Sequence, residues 1–285
     1  MNLARNTAIL WRGPGAVQVG GDNSRHVLLD NLHANDQLWL SHQAHSPRSA
    51  EPTQASPELM AALHRAHLID EGDRRPTLRV GVLGAVPASI LALRSLVDTI
   101  NLSLAIDVTA LVDEDWDRVF GGTFTGTARD RAIRRELAPL IPLPHLHHQG
   151  DTDCVIVSAV PFELTAHDTA HLIVTRGEHS YEVGPLVIPG ITPCYQCVEH
   201  ARAAADPFRL THLRELADWP LGTLPLLAHY AAALRVARLV RDFVSGALTA
   251  SLCAEVATID EDGTISVERA RPAHECVCGI CGLAS

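Results

Sequence analysis

Two C-x-x-C pairs constrain this chain more than any other feature. Cys194-Tyr195-Gln196-Cys197 and Cys278-Gly279-Ile280-Cys281 lie about eighty residues apart. Four thiolates in two such pairs close a tetrahedral zinc site without forming a disulfide. The fold must therefore return the C-terminal tail to the neighbourhood of residue 194. Glycine follows both Cys278 and Cys281, which suits a knuckle turn where backbone N–H groups approach the sulfurs. A third C-terminal cysteine, Cys276, leaves the distal pair open. Cys278 with Cys281 has the knuckle spacing, and Cys276 with Cys278 is the alternative. A closed set of four thiolates has no open coordination position, so the Zn2+ is expected to be structural and not to activate water. Cys154 and Cys253 stand alone in apolar stretches and read as small buried hydrophobes.

Several classes fall away on composition. No apolar run approaches the ~18–20 residues that cross a bilayer, and the segment MNLARNTAILWRG lacks the small-residue cleavage site of a secretory signal. Cysteines used for metal, not disulfides, fit a cytoplasmic protein. A formal charge of −10 argues against a nucleic-acid partner. Lysine is absent, so every Lys/Arg position is Arg. Mechanisms that need lysine on a phosphate or as a Schiff base, P-loop NTPases among them, are thereby excluded. His145-Leu146-His147-His148 lies among prolines and reads as a solvated connection, and no H-E-x-x-H occurs.

The charged, Pro-terminated stretch 70–76 (DEGDRRP) is the best boundary. Residues 1–70 read as a small α+β unit. It has strands at 16–19 and 26–29 around Gly20-Gly21-Asp22-Asn23, a helix at 35–42, a loop over 45–58, and a helix from 57 or 58 to 68. Residues 77–285 alternate strands (78–83, 105–112, 153–160, 171–175) with helices (87–100, 128–137, 162–168). That alternation predicts an α/β, Rossmann-like, doubly wound parallel sheet. A Pro/Gly loop follows at 185–193, then helices at 195–205 and 225–245. The second of these is apolar nearly all round, as in buried or subunit-interface helices. A hairpin is expected at 254–259 and 265–269 around Glu261-Asp262-Gly263.

Gly84 follows the first Rossmann strand, where a nucleotide-binding turn would begin. A G-x-G-x-x-G pattern starting there needs glycine at 86 and 89, but the chain has Val86 and Ser89. A Cβ at 86 obstructs approach to a pyrophosphate. Asp113 and Asp115 fall where a ribose- or metal-binding acid would sit, and they also read as solvated loop acids in DEDWDR. The nucleotide site is degenerate, and ATP is not expected.

The segment Pro189-Gly190-Ile191-Thr192-Pro193-Cys194-Tyr195-Gln196-Cys197 resembles the crossover-loop zinc motif of ThiF-like proteins, the ubiquitin-activating superfamily. The distal C-x-x-C, the strand at 78–83 and Asp113-Glu114-Asp115 fall in that family's order, so the resemblance covers roughly 77–285. In that superfamily a D-x-D, an N-L-x-R-Q, a lysine and a D-x-x-D-N handle ATP and magnesium. Here only Asp113 and Asp115 match, residues 158–161 (SAVP) replace the aspartate motif, and Arg129 or Arg131 are the candidates to stand in for the lysine. These losses imply a protein that does not adenylate.

The segment from Ile9 to Val19 (ILWRGPGAVQV) resembles the start of actinobacterial, cyclodehydratase-like ThiF proteins of thiazole/oxazole-modified peptide biosynthesis. There a small winged-helix-like unit similar to PqqD precedes a degenerate ThiF domain. The resemblance implies a leader or precursor peptide added as a strand to an exposed sheet edge. It further implies a YcaO-type cyclodehydratase partner that does the chemistry, and a homodimer. Trp11 and Trp39 read as core residues in preference to pocket residues. The alternatives are an active ATP-dependent adenylating enzyme and an NAD-type oxidoreductase.

Overall fold

The structure is a computed structural model that describes residues 2–4, 7–45, 54–70, 75–107, 113–122, 125–137, 139, 152–158, 169–209, 211–212, 215, 221–273 and 276. The chain divides into two units, Met1–Arg74 and Arg75–Ser285.

The first unit contains β1 (Asn2–Leu3), β2 (Ile9–Gly13), β3 (Ala16–Asp22), β4 (Arg25–Leu29), α1 (Ala34–His45), α2 (Pro57–Arg65) and β5 (Ile69–Asp70). β2, β3 and β4 form an antiparallel sheet in that order, and β1 pairs with β5. Alternation along β3 sends Val17 and Val19 inward onto Trp39, Leu40, Leu59, Leu63, Leu68 and Ile69. The turn into β4 requires glycine at 20. Its φ is +91°, and a Cβ would lie 2.3 Å from the Arg25 carbonyl. Ser56 caps α2 by accepting from the Leu59 amide (3.1 Å), with Pro57 in the first turn. The Asp36 carboxylate accepts from the Ser56 amide (2.7 Å) and hydroxyl (2.8 Å), tying α1 to the start of α2.

Two expectations fail in this unit. β2 is a strand the pattern does not announce, because four of its five residues are exposed and it lacks inward alternation. For the same reason Trp11 is not a core residue: it is 43% exposed, whereas Trp39 is buried as expected.

The second unit contains β6 (Thr77–Leu83), α3 (Pro87–Leu96), β7 (Asn101–Asp107), α4 (Glu114–Phe120), α5 (Arg129–Leu137), β8 (Cys154–Val157), β9 (Ala170–Arg176), β10 (Ser180–Val187), α6 (Tyr195–Ala205), α7 (Leu226–Val244), α8 (Ala250–Cys253), β11 (Glu255–Asp260) and β12 (Ile265–Arg269). One seven-stranded sheet runs β12-β11-β10-β9-β8-β6-β7. β7, β6, β8 and β9 are parallel, as the strand–helix alternation predicts. The other half is antiparallel, so the sheet is mixed and not wholly parallel. The reason is local. Only 177–179 separate β9 from β10, and a parallel return needs a crossover of about a dozen residues.

β10 occupies part of the segment expected to be a loop. Its Gly184-Pro185 falls at a register shift between Val183 and Leu186, and bulges are where a sheet accommodates proline. Gly184 (φ +112°) lies so close to the Glu255 carbonyl that a Cβ would be 2.1 Å away. β7 begins before the expected 105. The expected helix at 162–168 and the histidine cluster at 145–148 lie outside the described residues.

α3 and α7 pack into the main core, with Ile90, Leu93 and Leu96 meeting Ala232, Val236 and Val240. α7 is not buried all round, because Leu227, Tyr230 and Leu234 are exposed. Among the described residues no helix is long and apolar enough to cross a membrane.

Candidate functional site

The first cluster of interest is a cysteine corner. Between β10 and α6, the Ile191 and Thr192 amides both donate to the Ile188 carbonyl (3.0 Å each). The buried Thr192 hydroxyl accepts from the Ile188 amide (2.8 Å) and donates to the Leu186 carbonyl (3.2 Å). Gly190 takes the left-handed conformation, φ +73°, that closes this turn. The turn delivers Cys194 to the N-cap of α6 and Cys197 to its first turn, where the helix dipole favours thiolate. From beyond β12, Cys276 reaches the same place: its sulfur is 3.3 Å from that of Cys194, which is 3.9 Å from that of Cys197. All three sulfurs lie within 4.8 Å of one another, buried and unoxidised.

Zinc–sulfur bonds of about 2.3 Å in a tetrahedron set sulfurs about 3.8 Å apart. Three soft donors at this separation fit Zn2+, with one further ligand to complete the set. The sequence preference was Cys278 with Cys281, on spacing. The structure brings in Cys276, the alternate, and Cys278 and Cys281 lie outside the described residues. Hydrogen bonds from the Cys194 thiol and the Ala273 amide pull the Cys197 thiol down, against burial. The same contact with Cys197, with burial, pushes Cys194 up. Arg202 on α6 clamps the corner to the sheet. It reaches Glu182 on β10 (2.9 Å), Glu199 on its own helix (3.2 Å), and Glu268 on β12.

The second cluster surrounds the turn after β6. Gly84 has φ +62°, so a glycine is needed there. A helix that starts at such a turn usually offers free amides to an anion. Here two are taken. The Val86 amide donates to the Ser89 hydroxyl (3.2 Å), and Ser89's own amide donates to the Val86 carbonyl (3.1 Å). Pro87 has no N–H. Arg129 donates to the Ala85 carbonyl (3.1 Å) and lies 4.0 Å from the exposed Asp113.

Asp113 and Asp115 are not a matched pair. Asp113 caps α4, accepting from the Asp115 amide (3.2 Å). Asp115 is 1% exposed. Its carboxylate is 2.7 Å from the Arg176 guanidinium, accepts from the Leu224 amide (3.0 Å), and lies 3.5 Å from His229 Nε2. On its other side His229 Nδ1 is 2.8 Å from the Tyr181 hydroxyl. Burial alone would raise the Asp115 carboxyl, but the His229 contact and the Arg176 charge hold it below the usual range.

Arg176, Tyr181 and His229 are absent from the sequence-derived candidates. Tyr181 was hidden in an unrecognised strand. His229 did carry a signal, as one polar residue on the apolar face of a long helix, and such a residue must find a partner.

No family model and no curated protein matches the chain. Solved structures do match. E. coli MccB aligns over 98% of this chain and 96% of its own, at 16% identity and a TM-score of 0.53. The microcin C7 biosynthetic enzyme MccB in complex with N-formylated MccA aligns over 99% of both chains, at 16% identity and a TM-score of 0.56. PaaA aligns over 94% of this chain and 99% of its own, at 10% identity and a TM-score of 0.53. At these identities the likeness shows the fold alone: the chain folds as MccB does, over nearly its whole length.

Proposed function

We propose that the protein is a non-adenylating, zinc-stapled scaffold. Its winged-helix-like, PqqD-type N-terminal unit holds a precursor or leader peptide, and the second unit presents that peptide to a separate enzyme. The observation that carries this reading is the turn after β6, where the Val86 and Ser89 amides bond within the helix start and Asp115 pairs with Arg176, in a fold that matches MccB over its full length. A helix start that has Pro87 in its first turn and bonds these two amides internally is a poor phosphate cradle.

A peptide partner is supported by the likeness to MccB, which has been solved with N-formylated MccA and with an MccA carrying an isoasparagine. N-formylation and isoasparagine are the chemistry of a peptide. The enzyme served is of YcaO type, a cyclodehydratase, as in the actinobacterial proteins that the N-terminal residues resemble. Zn2+ on Cys194, Cys197 and Cys276, completed by Cys278 or Cys281, pins the tail and has no catalytic part. The exposed Leu227, Tyr230 and Leu234 of α7 suit a homodimer contact, and the setting is cytoplasmic.

An adenylating enzyme is the second reading, favoured by the structure of MccB with ATP. ATP–pyrophosphate exchange with the zinc-loaded protein separates the two. The scaffold reading expects no exchange above a protein-free blank. Exchange that scales with protein concentration overturns it.

A further inference from the structure

We propose that the cysteine corner is a redox switch: a hydroperoxide joins Cys194 to Cys276 in a disulfide and expels the Zn2+, and thiols reverse the change. This rests on the zinc-staple reading above and adds the regulation of that site.

A tetrahedral ion takes four thiolates, whereas Cys194, Cys197, Cys276, Cys278 and Cys281 offer one more than that. The staple alone does not require the surplus, and a site whose thiols also react does. The fold then sets one pair apart. The sulfurs of Cys194 and Cys276 are 3.3 Å apart, and those of Cys194 and Cys197 are 3.9 Å apart. A shared zinc ion asks for about 3.8 Å, so the second pair has zinc spacing and the first is tighter. Closing the first pair to a disulfide of about 2.05 Å takes a further approach of about 1.3 Å. Exposure orders the same pair. Cys194 and Cys197 are 1% and 0% exposed, while Cys276 is 9% exposed and meets an oxidant from solvent first. Gln196 Oε1 lies 3.9 Å from the Cys276 sulfur, a polar acceptor for a peroxide O–H on that side.

The chemistry balances with one peroxide. The Cys276 thiolate attacks a peroxide oxygen, the O–O bond breaks, and a sulfenic acid forms as hydroxide leaves. The Cys194 thiolate attacks the sulfenic sulfur, the S–S bond forms, the S–O bond breaks, and a second hydroxide leaves. Solvent protonates both hydroxides to water. The two thiolates have given up two electrons and the peroxide has taken them. An ion that loses two of its four thiolates is left under-coordinated and departs. The tail stays in place, because the disulfide spans the same 82 residues of sequence and still ends at the start of α6. The staple thus passes from metal to covalent bond without releasing the tail. Cys194 with Cys197 is the competing pair, a C-x-x-C at a helix N-terminus, and that pairing would set the tail free.

The test treats the zinc-loaded full chain with hydrogen peroxide, follows released zinc with a chromogenic chelator, and maps disulfides by tandem mass spectrometry. Zinc is expected to leave in step with a cross-link between the peptides that carry Cys194 and Cys276. Dithiothreitol with added zinc then restores the reduced, metal-loaded protein. Cys276→Ser loses the cross-link, and Cys253→Ala, at a buried cysteine of the main core, keeps it. Should Cys276→Ser fail to fold, fragment ions of the wild-type cross-link assign the pair. A Cys194–Cys197 disulfide overturns the pairing, and zinc loss through sulfinic acids that dithiothreitol cannot reverse overturns the switch. Zinc retained with the corner thiols still reduced overturns the switch and leaves the staple standing. A purified protein that carries no zinc overturns both.

Discussion

The cysteine corner and the turn after β6 both sit at the start of a helix, α6 in one case and α3 in the other, and they are built in opposite ways. At the corner, three sulfur donors converge within 4.8 Å of one another. At the turn, the Val86 and Ser89 amides bond within the helix start, and the Asp115 carboxylate meets Arg176 and the Leu224 amide. One cluster gathers soft donors for an ion, and the other ties its acid and two of its amides to the same chain. The contrast teaches that neighbours can turn a helix start inward: Arg176 supplies the positive charge beside Asp115.

The largest expected effect breaks the first half of that comparison. Structural zinc contributes about 10–16 kcal/mol in small thiolate sites. Chelation, or Cys194→Ser, should therefore lower the thermal midpoint of the second unit by about 10 °C or more. Differential scanning calorimetry with metal quantification checks this, and an unchanged midpoint in the metal-free protein would make the corner a cluster of plain thiols. Next is Asp115→Ala, which leaves Arg176 buried without a counter-charge and should cost about 3–5 kcal/mol in urea unfolding.

Acid titration sharpens the same point. The folded Asp115 lies below its unfolded value, so its contribution is complete above about pH 4 and is lost as pH falls through the folded value. The wild type should lose more stability as pH falls from about 4 to about 2 than Asp115→Asn does. Smallest is Tyr181→Phe, about 1 kcal/mol, from losing the bond to His229.

Much of this was legible in the sequence. The parallel half of the sheet announced itself as apolar runs alternating with helices, and Cys194-x-x-Cys197 announced the corner. Gly84 announced the turn after β6, where its φ is +62°. What was not legible depended on contacts far apart in the chain. Asp115 reads as a loop acid until Arg176 and His229 arrive from β9 and α7. Tyr181 belongs to a strand disguised by Gly184-Pro185, which the sheet tolerates through a bulge. β2 and its exposed Trp11 lacked the inward alternation that marks a strand. Cys276 could not be chosen over its neighbours by spacing alone, because three cysteines within six residues allow more than one pairing.

Isothermal titration of the zinc-quantified protein with Mg–ATP tests the central contrast most directly. The account predicts about one zinc per chain and no binding heat beyond dilution. A saturable heat at one ATP per chain would contradict it, because the turn after β6 would then hold a phosphate.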